Sequence, residues 1–283
     1  MLEHIIKAAE KSNPRQPGDY EKNGLLHCGN CHTPKQCRVN VPWGPFIAHC
    51  QCQCRKEAYE REQAEEKKKE AADNIQRLRI NGIADKSISG MTFDTDDGSN
   101  PKKTDLARRY VAKWEKLRSD NVGLLFYGNT GTGKTFCAGC IANALIDRQI
   151  PVLMTSFPKI INQITAMMTD KMVSSEEKAS FVASMDRFDL LIIDDLGAER
   201  QSGFALEWVY EVIDRRYKAK KPLIITTNLD LAELRNPQDM TYKRVYDRVL
   251  EMCMPILFDG ESRRKALAQN KLDRAKNILM GTD

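Results

Sequence analysis

Gly128-Asn129-Thr130-Gly131-Thr132-Gly133-Lys134-Thr135 lies between an apolar run, Val122-Gly-Leu-Leu-Phe-Tyr127, and the helix-forming run Phe136-Cys-Ala-Gly-Cys-Ile-Ala-Asn-Ala-Leu-Ile146. Strand, glycine loop and helix in that order make the P-loop arrangement, a cradle for nucleotide phosphates. The loop residues Gly128, Asn129, Thr130, Gly131, Thr132 and Gly133 let successive backbone N–H groups converge on the phosphates. Lys134 can reach the β- and γ-phosphates, the Thr135 hydroxyl can ligate Mg²⁺, and the following helix adds its positive N-terminal end.

Sixty positions after Lys134 comes Phe188-Asp-Leu-Leu-Ile-Ile-Asp194-Asp195-Leu-Gly197, an apolar strand that ends in two carboxylates. That is the shape of a Walker B strand. It suits Asp194 to hold Mg²⁺ and Asp195 to polarise an attacking water. Leu223-Ile-Ile-Thr-Thr-Asn228 is a second apolar strand with a polar tip, expected beside the first, and Asn228 can orient that water. Further on, Tyr242-Lys-Arg244-Val-Tyr-Asp247-Arg248 places two arginines one helical turn apart, and Ser262-Arg263-Arg264 follows the last strand. Arginine forks suit charge on a transferring phosphoryl group. Short apolar runs at Val152–Met154, Leu190–Ile193, Leu223–Ile225 and Pro255–Phe258 alternate with longer helical stretches, which predicts a parallel sheet covered by helices on both faces. Lys103–Leu117 reads as one helix leading into this domain, with Leu106, Tyr110, Val111, Trp114 and Leu117 at helical spacing.

The order P-loop, Asp-Asp-Leu-Gly, Thr-Thr-Asn, Asp-Arg, Ser-Arg-Arg resembles the DnaC-type helicase loaders, AAA+ ATPases related to replication initiators, over about Ile80 to Arg264. The resemblance implies that Lys134 and Thr135 are Walker A, Asp194 and Asp195 Walker B, and Asn228 sensor 1. It also makes Arg248 the arginine finger, with Arg244 second, and Arg264 the sensor 2 arginine, with Arg263 adjacent. Asp195 stands where many AAA+ ATPases carry glutamate, and its shorter arm predicts slow, partner-stimulated hydrolysis, with Glu199 as a substitute. Nineteen residues follow Arg264, which implies a reduced or absent lid.

Cys28-x2-Cys31, Cys37 and Cys50-x-Cys52-x-Cys54 form a separate cluster, with His27, His32 and His49 close by. It resembles the N-terminal zinc module of some bacterial and phage loaders. Tetrahedral Zn²⁺ needs four thiolate or imidazole ligands, and Cys28 and Cys31 with two of Cys50, Cys52 and Cys54 are the favoured set. Cys37 and the histidines are alternates. The glycines and prolines around them predict loops and turns rather than a core. Cys137 and Cys140, on the helix after the P-loop, read as core residues.

Arg55–Arg79 carries eight basic against seven acidic residues, with Glu57/Arg61, Glu65/Lys69 and Asp73/Arg77 at i,i+4 spacing, and reads as a solvated linker helix. The formal charge of +5 is concentrated late: nine Lys or Arg face five Asp or Glu from Lys243 to Lys276, the favoured place for nucleic acid. No apolar stretch approaches the roughly 18 residues of a membrane helix, and Met1–Glu10 carries no long apolar core, so a cytoplasmic protein with reduced thiols is expected. The expectation is therefore a zinc-binding module at 1–54, a charged helical linker at 55–80 and a P-loop AAA+ α/β domain at 81–283. The resemblance implies ATP with Mg²⁺, a replicative DNA helicase and single-stranded DNA as partners, and a homo-oligomer on that DNA. Two other readings share the core: a transposition-accessory (IstB-like) ATPase, against which the metal module counts, and a non-catalytic ATP-binding adaptor, which Asp195 keeps open.

Overall fold

The computed structural model describes residues 15–42, 44–169, 174–197, 203–237 and 240–280. The chain divides into two compact units, Met1–Asp73 and Asn74–Asp283. In the first, β1 (Tyr20–Lys22) and β2 (Leu25–His27) pair antiparallel, as do β3 (Gln36–Val41) and β4 (Gly44–His49). Loops and turns were expected here; the segment forms two hairpins instead. One of them has a local cause: Asn23 and Gly24 join β1 to β2 with φ of 54° and 72°, the left-handed pair that a two-residue hairpin turn requires. The charged stretch is one continuous helix, α1 (Gln53–Gly82), 30 residues long.

The second unit continues with α2 (Lys86–Ser89), α3 (Pro101–Ala112), α4 (Trp114–Ser119), β5 (Gly123–Tyr127) and α5 (Lys134–Ile146). Then come β6 (Val152–Ser156), α6 (Phe157–Thr169), α7 (Ser175–Ser184), β7 (Leu190–Leu196) and α8 (Gly203–Ala219). The last elements are β8 (Leu223–Thr227), α9 (Leu231–Arg235), α10 (Met240–Met252), β9 (Cys253–Leu257) and α11 (Arg263–Met280). The five strands form one parallel sheet in the order β6-β7-β8-β5-β9. Both faces are covered, so successive residues of a strand are all apolar yet point opposite ways. Leu124, Phe126, Ile192 and Ile224 pack with residues of α3 and α5, while Leu125, Leu191, Ile193 and Ile225 pack with α6, α8 and α10. This is the layered α/β architecture, a parallel sheet with helices on both faces, that the sequence predicts. Cys137 and Cys140 are buried in it.

The helix expected over Lys103–Leu117 breaks at Lys113. Arg148 donates to the Val111 carbonyl at 2.5 Å, withdrawing it from the helical ladder, and Trp114 turns into the core at 1% exposure. Among the described residues, no helix is long and apolar enough to cross a membrane.

One buried cation helps to hold the sheet's lower edge. Arg216, on α8, is 1% exposed and donates to the carbonyls of Phe188 (2.9 Å), Asp189 (3.0 Å) and Pro222 (2.7 Å), the residues that lead into β7 and β8. Burial pulls its guanidinium down to about 10, against the pull of the Asp186 and Asp189 carboxylates. Arg216→Ala removes three hydrogen bonds to carbonyls at once and is expected to cost about 3 kcal/mol of unfolding free energy, measured by urea denaturation.

Candidate functional site

Ligand sites in open parallel sheets form beyond the carboxyl ends of the strands. Here β5 delivers the P-loop, while β8, between β5 and β7, delivers Asn228 beside the acidic end of β7. A cavity of about 490 Å³ opens there, lined by Lys134, Thr135, Asp194, Asp195, Asn228 and Arg264 together with Gly131, Gly133 and Arg263. Nine of the expected residues thus meet in one place: Thr130, Gly131 and Gly133 from the loop, and Lys134, Thr135, Asp194, Asp195, Asn228 and Arg264. Gly133 sits at φ 99°, a left-handed backbone that favours glycine, and Arg263 Nη1 comes to 2.9 Å from where a Cβ would stand.

The acidic pair owes its direction to an irregularity in β7. Ile193 pairs with Ile225 but Leu196 with Thr227, so β7 carries one extra residue at the acidic pair. Asp195 takes up the slack at φ 63°, the left-handed region. In a regular strand neighbouring side chains point to opposite faces; the bulge turns both carboxylates into the cavity. Thr226 locks it. Its hydroxyl donates to Asp194 Oδ1 at 2.6 Å and accepts from the Asp195 N–H at 2.9 Å.

The rest of the site is one connected network. Thr135 Oγ1 donates to Asp194 Oδ1 at 2.9 Å, which places a hydroxyl and a carboxylate side by side as an Mg²⁺ site would need them. Lys134 Nζ donates to the carbonyls of Gly128 and Asn129, both at 2.7 Å, and to Asn228 Oδ1 at 2.9 Å. Asn228 Nδ2 donates in turn to Asp195 Oδ1 at 2.8 Å. Burial pushes the Asp195 carboxyl up, reinforced by the charge of Asp194, while Lys134 and Arg264 oppose the shift. Burial also pulls Lys134 down, against both carboxylates. Arg264 is thus within electrostatic reach of both groups.

Arg263 plays a different part. It donates to Asp96 Oδ1 at 3.1 Å and also to Asp97 and Ser99, and lies over the Phe136 ring, 5.4 Å from its centre. Met91, Thr95, Asp97 and Phe136 complete the cavity wall. None of these, nor Thr226, was singled out from the sequence. Thr226 lay inside a quoted motif, whereas the Asp96 and Asp97 pairing with Arg263 joins segments far apart in the chain. Arg248 is outside this cavity: its Nε pairs with Asp214 Oδ1 at 2.9 Å, its Nη2 donates to the Tyr210 hydroxyl at 3.0 Å, and its guanidinium lies over the Tyr210 and Tyr217 rings. Arg244, one turn earlier on α10, is exposed. Glu199 lies outside the described residues.

In the first unit, the sulfurs of Cys28, Cys31, Cys52 and Cys54 all lie within 4.8 Å of one another, with Cys28–Cys54 at 3.5 Å and Cys52–Cys54 at 3.4 Å. Four thiolates about 2.3 Å from a tetrahedral Zn²⁺ stand about 3.8 Å apart, so the set fits that ion. Cys50 and Cys37 are not in this group. Cys50 Sγ points to the Pro34 carbonyl at 3.4 Å, and its thiol is pushed up by burial and by Cys37 beside it. His27 and His32 pack on Tyr20 rather than on the sulfurs. Beneath the knuckle, Asp19 accepts from Lys35 Nζ at 2.6 Å and from the Gly29 N–H at 3.0 Å, both side chains almost fully buried.

Residues 58–271 match the family of IstB-like ATP binding proteins. The chain is 27% identical over 192 residues to the replicative helicase loader DnaI of Bacillus subtilis, covering 62% of this chain and 59% of that protein. It is 28% identical over 159 residues to the replicative helicase loader DnaC of Escherichia coli, covering 56% and 61%. The match therefore spans less than two thirds of the length of these curated relatives. The crystal structure of DnaI aligns with a TM-score of 0.51 at 23% identity, over 66% of this chain and 99% of that one. That of the DnaC helicase loader aligns at 0.50 and 23%, over 62% and 100%. These last two likenesses speak for the fold.

The cluster geometry separates two neighbouring cysteines. Cys52→Ser is expected to lose bound zinc and Cys50→Ser to retain it, read as metal content of the purified full chain after gel filtration.

Proposed function

Because the chain belongs to the family of IstB-like ATP binding proteins, we propose that it is an ATPase that loads a replicative DNA helicase onto single-stranded DNA. The observation that carries this reading is that the two relatives described above are both named replicative helicase loaders. The site supports the catalytic half of the proposal, because the side chains that phosphoryl transfer to water requires stand around one cavity.

In this reading Lys134 moves from the Gly128 and Asn129 carbonyls to the β- and γ-phosphates, and the loop N–H groups hold the phosphate chain. Thr135 and Asp194 are the residues that would hold Mg²⁺, which neutralises phosphate charge when bound. Asn228 and Asp195, already hydrogen-bonded to each other, orient the attacking water, and Asp195 accepts its proton. Arg264 offsets charge within the same chain. Arg248, released from Asp214, serves a neighbouring copy's nucleotide, with Arg244 on the same helix as second candidate.

We assign residues 1–54 to a zinc-binding module, 55–80 to a linker and 81–283 to the ATPase domain, in a cytoplasmic protein that assembles on DNA. Cys28, Cys31, Cys52 and Cys54 are the proposed zinc ligands. The module and linker would grip the helicase.

Two experiments test this. Purified protein is expected to hydrolyse ATP slowly, faster with helicase and single-stranded DNA, and Lys134→Ala to abolish turnover. Arg248→Ala is expected to lower stimulated turnover by about a thousandfold, the order typical of an arginine finger. A pull-down with the full chain is expected to recover a replicative helicase. Recovery of a transposase, with a preference for duplex over single-stranded DNA, would favour the transposition-accessory reading instead.

A further inference from the structure

Asn143 is a polar side chain in an otherwise apolar stretch of α5, 1% exposed, with every hydrogen-bonding group of its amide engaged. Its Nδ2 donates to the carbonyls of Ile88 (2.8 Å), Met91 (3.0 Å) and Gly139 (3.0 Å). Its Oδ1 accepts from Arg79 Nη1 at 2.5 Å. Three carbonyls on one side and a guanidinium on the other permit a single orientation of the amide. Reversed, it would set oxygen against oxygen.

The groups it joins belong to different parts of the second unit. Arg79 is in the last turn of α1 and also pairs with Asp147, the residue that ends α5, at 2.6 Å. Ile83, just beyond α1, bridges to Met154 on β6, so this end of α1 is seated on the sheet as well. Met91 lines the nucleotide cavity and lies against Gly139, where a Cβ would meet its Sδ at 2.8 Å. One turn of α5 therefore holds Met91 by backbone and side chain, and the same Asn143 amide is held by α1. The P-loop begins α5.

We infer that Asn143 is a positioning residue that couples the end of α1 to the cavity wall at Met91, so that displacement of α1 changes nucleotide affinity. The inference rests on the reading of the cavity as the ATP site. Without Arg79, the buried Oδ1 is unsatisfied, the amide loses its fixed orientation, and the Ile88–Met91 backbone loses its anchor. Coupling is reciprocal: a nucleotide that fixes Met91 also fixes Arg79 and the last turn of α1.

The test measures ADP and ATP affinity of the full chain by calorimetry. Arg79→Ala is expected to weaken nucleotide binding by about fivefold, within the range of couplings carried by such networks. Arg79→Lys, which can still donate to Asn143, restores most of it. Asn74→Ala is the control, because Asn74 ties α1 to Gln149 at 2.9 Å without touching Asn143, and its affinity should match the parent. Lys134→Ala must abolish binding; if it does not, the reading of the cavity fails rather than the coupling. Equal affinities for Arg79→Ala and the parent, or equal losses for Arg79→Ala and Asn74→Ala, would overturn the inference. Hydrogen exchange on the unmutated chain gives a second readout: added ADP should protect residues 79–83, and unchanged exchange there contradicts the coupling.

Discussion

The site depends on one extra residue in β7. Without it, Asp194 and Asp195 would point to opposite faces of the sheet, one into the cavity and one toward a helix layer. The bulge keeps both at the phosphate end, at the expense of a left-handed backbone at Asp195, a conformation that costs a non-glycine residue of order 1 kcal/mol. Thr226 offsets part of that cost, since one hydroxyl satisfies the Asp195 N–H and the Asp194 carboxylate together. The remaining links follow from it: Asn228 reaches Asp195, Lys134 reaches Asn228, and Thr135 reaches Asp194. A network in which each group is held by the next is preorganised, and preorganised dipoles do more for a developing charge than groups that must first rotate into place.

The two arginine pairs are used differently, and burial explains why. Arg263 is 17% exposed and is consumed by Asp96, Asp97 and Ser99, so it closes the cavity wall. Arg264 acts on Lys134 and Asp195 through space. On α10 the order is reversed: Arg248 is stored against a buried carboxylate between two tyrosine rings, and Arg244 is in solvent. Asp214 resists ionisation through burial, but Lys218 and Arg248 together outweigh this and hold it below the usual carboxylate range. In the proposed function that ion pair has to be exchanged for another before Arg248 serves a neighbour, so the proposal ties its release to assembly.

Much of this was legible in the sequence because buried parallel strands are apolar runs and P-loop chemistry admits few residue types. The strands β5 to β8 and the helix after the loop fall where their apolar patterns predict, and Lys134, Thr135, Asp194, Asp195 and Asn228 meet as expected. What the pattern could not carry are pairings between distant segments. Arg148 breaks a helix at Lys113 through a carbonyl that local periodicity does not see. Spacing alone treats Cys50, Cys52 and Cys54 alike; the β3–β4 ladder sets Cys50 beside Cys37 and leaves the other two, at the start of α1, for Cys28 and Cys31. The Asn23-Gly24 turn between β1 and β2, by contrast, is a local hairpin signal.

The central claim is that the bulged acidic pair, the P-loop and Asn228 form a single Mg²⁺–ATP site. A crystal structure of the full chain with Mg²⁺ and a non-hydrolysable ATP analogue tests it most directly. The account predicts the triphosphate in the 490 Å³ cavity, Lys134 on its terminal phosphates, and the metal beside Thr135 and Asp194. A metal held away from both residues, or a triphosphate bound outside this cavity, would contradict it.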